Sequence, residues 1–113
     1  MLPREYKLKR DNDFKKIFKQ GRYSRSGFIG IKFLKNDLKF NRFAFVIGLK
    51  ISKKAVLRNK IRRQLEEIVR LSFDQMEIGF DVVILVEKEI INKNYQEIKK
   101  EIINLFKKIK LIK

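Results

Sequence analysis

The sequence predicts an α/β (α+β) two-layer sandwich, a single mixed sheet with three helices packed on it. Three observations predict this class. The apolar segments follow one another as helix, strand, strand, helix, strand, helix. Residues 43–86 form a strand–helix–strand unit long enough for a parallel crossover. Finally, 113 residues, 44% of them hydrophobic, with one proline and no low-complexity tract, support one core in a single domain over residues 1–113.

Asp11 is placed to cap a first helix over residues 12–20, which Gly21 would end. Phe14, Ile17 and Phe18 share one face of it at i, i+3, i+4 spacing. After a polar stretch, residues 28–34 read as a strand. A turn at Asn36-Asp37 leads to a second strand over residues 43–49, and the two are expected to pair antiparallel. That second strand is apolar at every position except Gly48, which predicts a place inside the sheet rather than at its edge.

Ser52 is a candidate cap for a long helix reaching Phe73. At 100° per residue, Leu57, Ile61, Leu65, Ile68 and Ser72 fall within an arc of about 80°. Asn59, Arg62, Arg63 and Arg70 fall in an arc of about 100° centred nearly opposite. One face is core and the other a basic ridge. Phe80–Val86, rich in β-branched residues, is a strand. Asn94 with Glu97 forms a capping-box pattern for the last helix, whose apolar stripe is Tyr95, Ile98, Ile102, Leu105, Phe106 and Ile109.

Composition restricts the function. The chain carries 29 Lys+Arg against 13 Asp+Glu, a formal charge of +16, and has neither His nor Cys. A disulfide framework, a thiolate metal site and a His general base are therefore excluded. The longest uncharged apolar runs, residues 43–49 and 82–86, fall far short of the roughly 20 needed to span a bilayer. With no apolar signal-peptide core at its start, the chain is expected in the cytoplasm without a membrane partner. The charge is also segregated. Residues 1–63 hold 20 Lys+Arg and 4 Asp+Glu, whereas residues 64–113 hold 9 of each. A binding face for a polyanion explains that asymmetry better than a solubilising surface does.

The densest segment is Ser52-Lys-Lys-Ala-Val-Leu-Arg-Asn-Lys-Ile-Arg-Arg63, with six cations and no acid. Lys53 and Lys54 at a helix start oppose the macrodipole unless an anion sits there. Arg58 and Arg62 present guanidinium forks suited to phosphate oxygens. Asn59 can orient a fork or read a base edge. A merely solvated helix face would interleave acids, which arrive only at Glu66 and Glu67.

This segment resembles the hallmark of the bacterial ribonuclease P protein component: Ser-Lys-Lys, then Ala-Val-x-Arg-Asn-Arg-x-Lys-Arg on a helix. Leu8-Lys9-Arg10, Phe14-Lys-Lys-Ile-Phe18 and Gly21 resemble the family's first helix, and Gly48-Leu49 before the Lys-Lys segment also fits. The resemblance covers essentially the whole chain. It implies a sheet of about four strands with a left-handed strand–helix–strand crossover. It also implies a protein subunit of ribonuclease P whose partners are a catalytic RNA and precursor tRNA, with no DNA partner. That RNA, with magnesium that the protein itself does not bind, cleaves the precursor to the mature 5′ end. By resemblance, Lys53, Lys54, Arg58, Asn59, Lys60, Arg62 and Arg63 face the catalytic RNA. Arg10, Phe14, Phe18 and Lys88 line a cleft for the single-stranded 5′ leader, and Ile31 stands where the family places an aromatic on the leader-facing strand. The resemblance implies no catalytic residue and no metal ligand in the protein.

Stacking faces and cations are what single-stranded RNA requires, and aromatics are interleaved with the basic first third of the chain. An i, i+4 pair such as Phe14 and Phe18 equally suits a core. Two other classes remain to be weighed. A ribosomal or other structural RNA-binding protein would share the charge pattern without a role in tRNA processing. A self-sufficient nuclease would need acids, and before Arg63 there are only Glu5, Asp11, Asp13 and Asp37.

Overall fold

A computed structural model describes residues 2–112. The helices are α1 (Asp11–Gln20), α2 (Ala55–Ser72) and α3 (Tyr95–Lys108); the strands are β1 (Arg22–Ser26), β2 (Ile29–Lys35), β3 (Arg42–Val46) and β4 (Phe80–Val86). The strands form one mixed sheet in the order β1-β2-β4-β3, antiparallel except for the β3/β4 pair. No described helix is long and apolar enough to cross a membrane.

Short-range sequence signals hold where the interaction is local. Asn94 accepts from the Glu97 N–H at 2.9 Å and the Glu97 carboxylate accepts from the Asn94 N–H at 3.1 Å, completing the capping box. Gly21 does end α1, but with extended backbone rather than a left-handed turn. A Cβ there would collide with the Ile17 carbonyl and lie 2.9 Å from the Phe33 carbonyl oxygen, so close approach of β2 demands the glycine. Two caps differ from expectation. α1 begins at Asp11 itself, where a carboxylate in the first turn complements the dipole. Ser52 sits ahead of the α2 N-terminus, its Oγ accepting from the Lys54 N–H at 3.1 Å, and so folds a turn before the helix.

Three expectations about strands are corrected. The polar stretch after α1 is a strand, β1, paired with β2 from Arg22↔Phe33 to Ser26↔Ile29. β2 and β3 are not neighbours, because β4 lies between them and pairs with both. β3 is therefore an edge strand, and it ends at Val46. Its apolar character follows from cover on each side. Phe43 is buried beneath α2 and α3, and Ala44 beneath α1. Its outer edge is partly occupied too: Lys7 bridges to Phe43, and the Leu8 N–H donates to the Phe43 carbonyl at 2.8 Å.

The alternation of each strand divides the apolar side chains between two cores. Ile29, Ile31, Phe43, Val82 and Ile84 face Ile61, Leu65 and Ile68 of α2 and Ile98, Ile102, Leu105 and Phe106 of α3. On the opposite face a smaller cluster joins Ile17 of α1 to Leu8, Ala44 and Val83. The sandwich is lopsided: two helices cover one face and a single short helix covers part of the other.

A polar knot sets the position of that short helix. Arg42 donates through Nε and Nη2 to both oxygens of buried Asp81, at 2.8 and 2.6 Å, and reaches Asp13 of α1 at 3.3 Å. The hydrogen bond to Asp81 raises the guanidinium pKa above its ordinary value. Asn36 donates a further bond to Asp81 Oδ1 at 2.8 Å. Buried Asn41 accepts from the Phe80 N–H at 2.8 Å and donates to the Glu77 carbonyl at 2.7 Å, pinning the start of β4 beside β3. Removing the cation leaves a buried carboxylate with too few partners. Arg42→Met is expected to destabilise the fold by about 3 kcal/mol. Urea unfolding measures this, and a loss below about 1 kcal/mol would show the knot to be dispensable.

Candidate RNA interfaces

The first surface is the outward face of α2. Lys53, Lys54, Asn59, Lys60 and Arg63 are exposed there, and the first turn contains no acid. The two predicted forks are half-buried and already held. Arg58 Nη1 donates to the Ser52 carbonyl at 2.8 Å, and Arg62 Nη1 donates to Asn59 Oδ1 at 2.9 Å. Asn59 thus orients a fork, and its carbonyl also accepts from Arg63 Nε at 3.4 Å. Each tethered guanidinium retains further N–H groups for phosphate. Arg70, farther along, is paired with Glu67 at 3.5 Å on the surface.

The ridge is interrupted by Glu66, which is only 5% exposed. Its Oε2 has no hydrogen-bond partner among the described residues. The N-terminal segment lies on this flank of the helix at Phe73, against which Tyr6 packs edge-on at 5.1 Å. Burial of a carboxylate within a basic stripe is invisible to helical projection, because it depends on what packs against the helix.

The second surface is on the other face of the sheet. Cross-strand pairing places Tyr23, Lys32, Val83 and Ala44 in one row and Arg25, Gly30, Leu85 and Val46 in the next. α1 covers Ala44 and Val83 in the first row, while Val46 in the second is 40% exposed and Leu85 only half-buried. The result is an open cleft with α1 as its wall. Phe18, 44% exposed, stands on that wall, and Lys32 rises beside it. The Lys32 ammonium donates to the Phe18 carbonyl at 2.7 Å and sits 5.5 Å from the centre of its ring.

The structure separates the predicted cleft residues. Phe14 is half-buried against the small core and also lines a shallow depression with Asp11, Lys15, Phe18 and Lys19. Arg10 is exposed immediately before α1, and Lys88 is exposed just beyond β4. Ile31 does not face the cleft: it is fully buried in the large core, because even-numbered positions of β2 face α1. Lys32 and Tyr23 were missed as cleft residues. The signal for Tyr23 was the alternation Tyr23-Ser24-Arg25, which reads as a polar loop unless the strand is recognised. Among the described residues there is no group of three or more His, Cys, Asp or Glu placed to hold a metal ion.

The comparisons with known proteins agree with both the fold and the motif. A family model described as Ribonuclease P matches residues 2–110. The ribonuclease P protein component of Pseudanabaena is 33% identical, over 99% of this chain and 97% of that protein. That of Alkaliphilus oremlandii is 30% identical, over 94% and 92%. Among solved structures, the RNase P protein from Thermotoga maritima superposes with a TM-score of 0.83 at 28% identity, covering 90% of this chain and 96% of that one. The RNase P protein of Staphylococcus aureus, at 21% identity, matches in fold with a TM-score of 0.88 over 96% and 98%.

The two phenylalanines are expected to part under mutation. Phe18→Ala should change stability by no more than about 0.5 kcal/mol, as for an exposed side chain. Phe14→Ala should cost about 2 kcal/mol, less than the 3–5 of a fully buried ring. Equal losses in urea unfolding would place both in the core.

Proposed function

The chain belongs to the ribonuclease P protein family, and from that premise we infer how its two surfaces divide the work. It is the protein subunit of ribonuclease P and acts in tRNA processing. The α2 ridge takes the catalytic RNA and the cleft takes the single-stranded 5′ leader of the precursor. One observation carries this division: exposed cations without stacking faces lie on one side of the sheet, and an exposed ring with a cation beside it lies on the other.

The chemistry of each surface fits its RNA. Lys53, Lys54, Arg58, Lys60, Arg62 and Arg63 neutralise phosphates, which releases condensed counterions and favours binding without reading sequence. Asn59 holds the Arg62 guanidinium so that less freedom is lost on contact. In the cleft, Phe18 offers a face to an unpaired base, and Arg10, Lys32 and Lys88 neutralise the strand that carries it. Hydrolysis of the phosphodiester belongs to the RNA and its magnesium, and the protein's part is to position the precursor in the cytoplasm.

Reconstitution with the catalytic RNA at low magnesium tests this reading. Added protein is expected to raise affinity for precursor tRNA over mature tRNA. No change in precursor affinity or cleavage would overturn the reading. Arg62→Ala and Arg63→Ala should each weaken assembly with the RNA. Each should also flatten the dependence of log affinity on log salt by about 0.7–0.9, the slope for one neutralised phosphate.

A further inference from the structure

Tyr23 is the most exposed aromatic residue of the cleft face, at 54%, and it comes from the edge strand β1. It is the cross-strand neighbour of Lys32, whose ammonium lies over the Phe18 ring. Its own ring does not project into solvent. It leans diagonally over Gly30, so that a Cβ at that position would fall 2.7 Å from the tyrosine hydroxyl and 3.2 Å from two ring carbons. Gly30 has an ordinary strand conformation, so the glycine is not required by its backbone. What requires it is the ring above.

A glycine inside a strand weakens the sheet and normally marks close approach of another group. Here it makes a seat that holds an aromatic side chain against the sheet while leaving half of it accessible. A tyrosine needed only to cover apolar surface would bury its ring, and one needed only for solubility would require no seat. The next residue on this face, Arg25, extends the cationic line along the same strand, paired loosely with Glu87 at 3.9 Å.

We propose that Tyr23, seated over Gly30, is a second stacking platform for an unpaired base of the precursor leader, facing Phe18 across Lys32. The inference rests on the reading that the cleft takes the leader and adds to it a subsite from β1. Two aromatic faces on either side of one ammonium bind a single strand with little preference for base identity, because every base has a face to stack. The hydroxyl is secondary to the ring.

The experiment is precursor and mature tRNA binding by the protein assembled with the catalytic RNA, for Tyr23→Ala, Tyr23→Phe, Gly30→Ala and Phe18→Ala. Tyr23→Ala is expected to lower precursor affinity by about tenfold, within the range for loss of one stacked base, while mature tRNA affinity stays constant. Tyr23→Phe should retain precursor affinity. Gly30→Ala should reproduce part of the loss by unseating the ring without removing it, and so serves if Tyr23→Ala disturbs the fold. If Phe18→Ala reduces precursor affinity and neither Tyr23→Ala nor Gly30→Ala does, the platform is overturned and the cleft reading survives. Should neither Phe18→Ala nor Tyr23→Ala matter, the cleft reading itself falls. An equal loss for mature tRNA would also overturn the proposal, by placing Tyr23 outside the leader path.

Discussion

The bidentate pair of Arg42 with Asp81 is the interaction on which the working geometry depends. Asp81 is buried at the start of β4, the strand that joins the antiparallel and parallel parts of the sheet. A carboxylate in that position needs a partner of opposite charge, and the matching fork is presented by the adjacent residue of β3. The third arm of the same guanidinium reaches Asp13, so α1 is anchored at its first turn while Ile17 supplies its apolar contact. Anchored at that side, α1 leaves Leu85 half-buried and Val46 exposed in the next row. The cleft is thus the uncovered remainder of a face whose cover is positioned by one arginine.

Both candidate surfaces are by-products of how a small sheet is covered. α2 buries Ile61, Leu65 and Ile68, and a helix with one apolar side presents its other side to solvent. That other side carries the densest charge in the chain. On the far face only one short helix is available, and an incompletely covered sheet offers half-buried apolar floor beside exposed aromatic rings. The excess of +16 therefore does not form one diffuse field. Its densest run lies along the α2 ridge, and Arg25 and Lys32 stand on the opposite face of the sheet.

What was legible in the sequence follows the range of the interactions concerned. The capping box at Asn94, the apolar arc of α2 and the Ser-Lys-Lys and Arg-Asn segment depend on residues within a few positions of one another. Strand order does not. Residues 28–34 and 43–49 look like consecutive hairpin strands, but the pairing preference of both for β4 is settled only after α2 has crossed over. β1 was overlooked because an edge strand with one solvated face carries polar residues, so its alternation resembles a loop. The same oversight hid Tyr23. Ile31 was assigned to the wrong face through its place on the strand, and a slip of one residue inverts every side chain. The burial of Glu66 is a tertiary fact without a local signature, and the tether of Arg58 to the Ser52 carbonyl, six residues back, depends on the turn that Ser52 makes before α2.

The covered edge of β3 has a mechanical consequence. Residues 2–20 run as a continuous strap: Tyr6 lies against Phe73 below α2, Lys7 and Leu8 close the β3 edge, and Phe18 forms the cleft wall. The strap crosses from one face of the sheet to the other and is fastened at each station, by ring packing, by main-chain hydrogen bonds and by the Asp13–Arg42 pair. A molecule fastened in this way works as a gauge block. It keeps the α2 ridge and the cleft face at a separation set by the thickness of one sheet and its helices, and that spacing follows from strong local fastening within the chain itself.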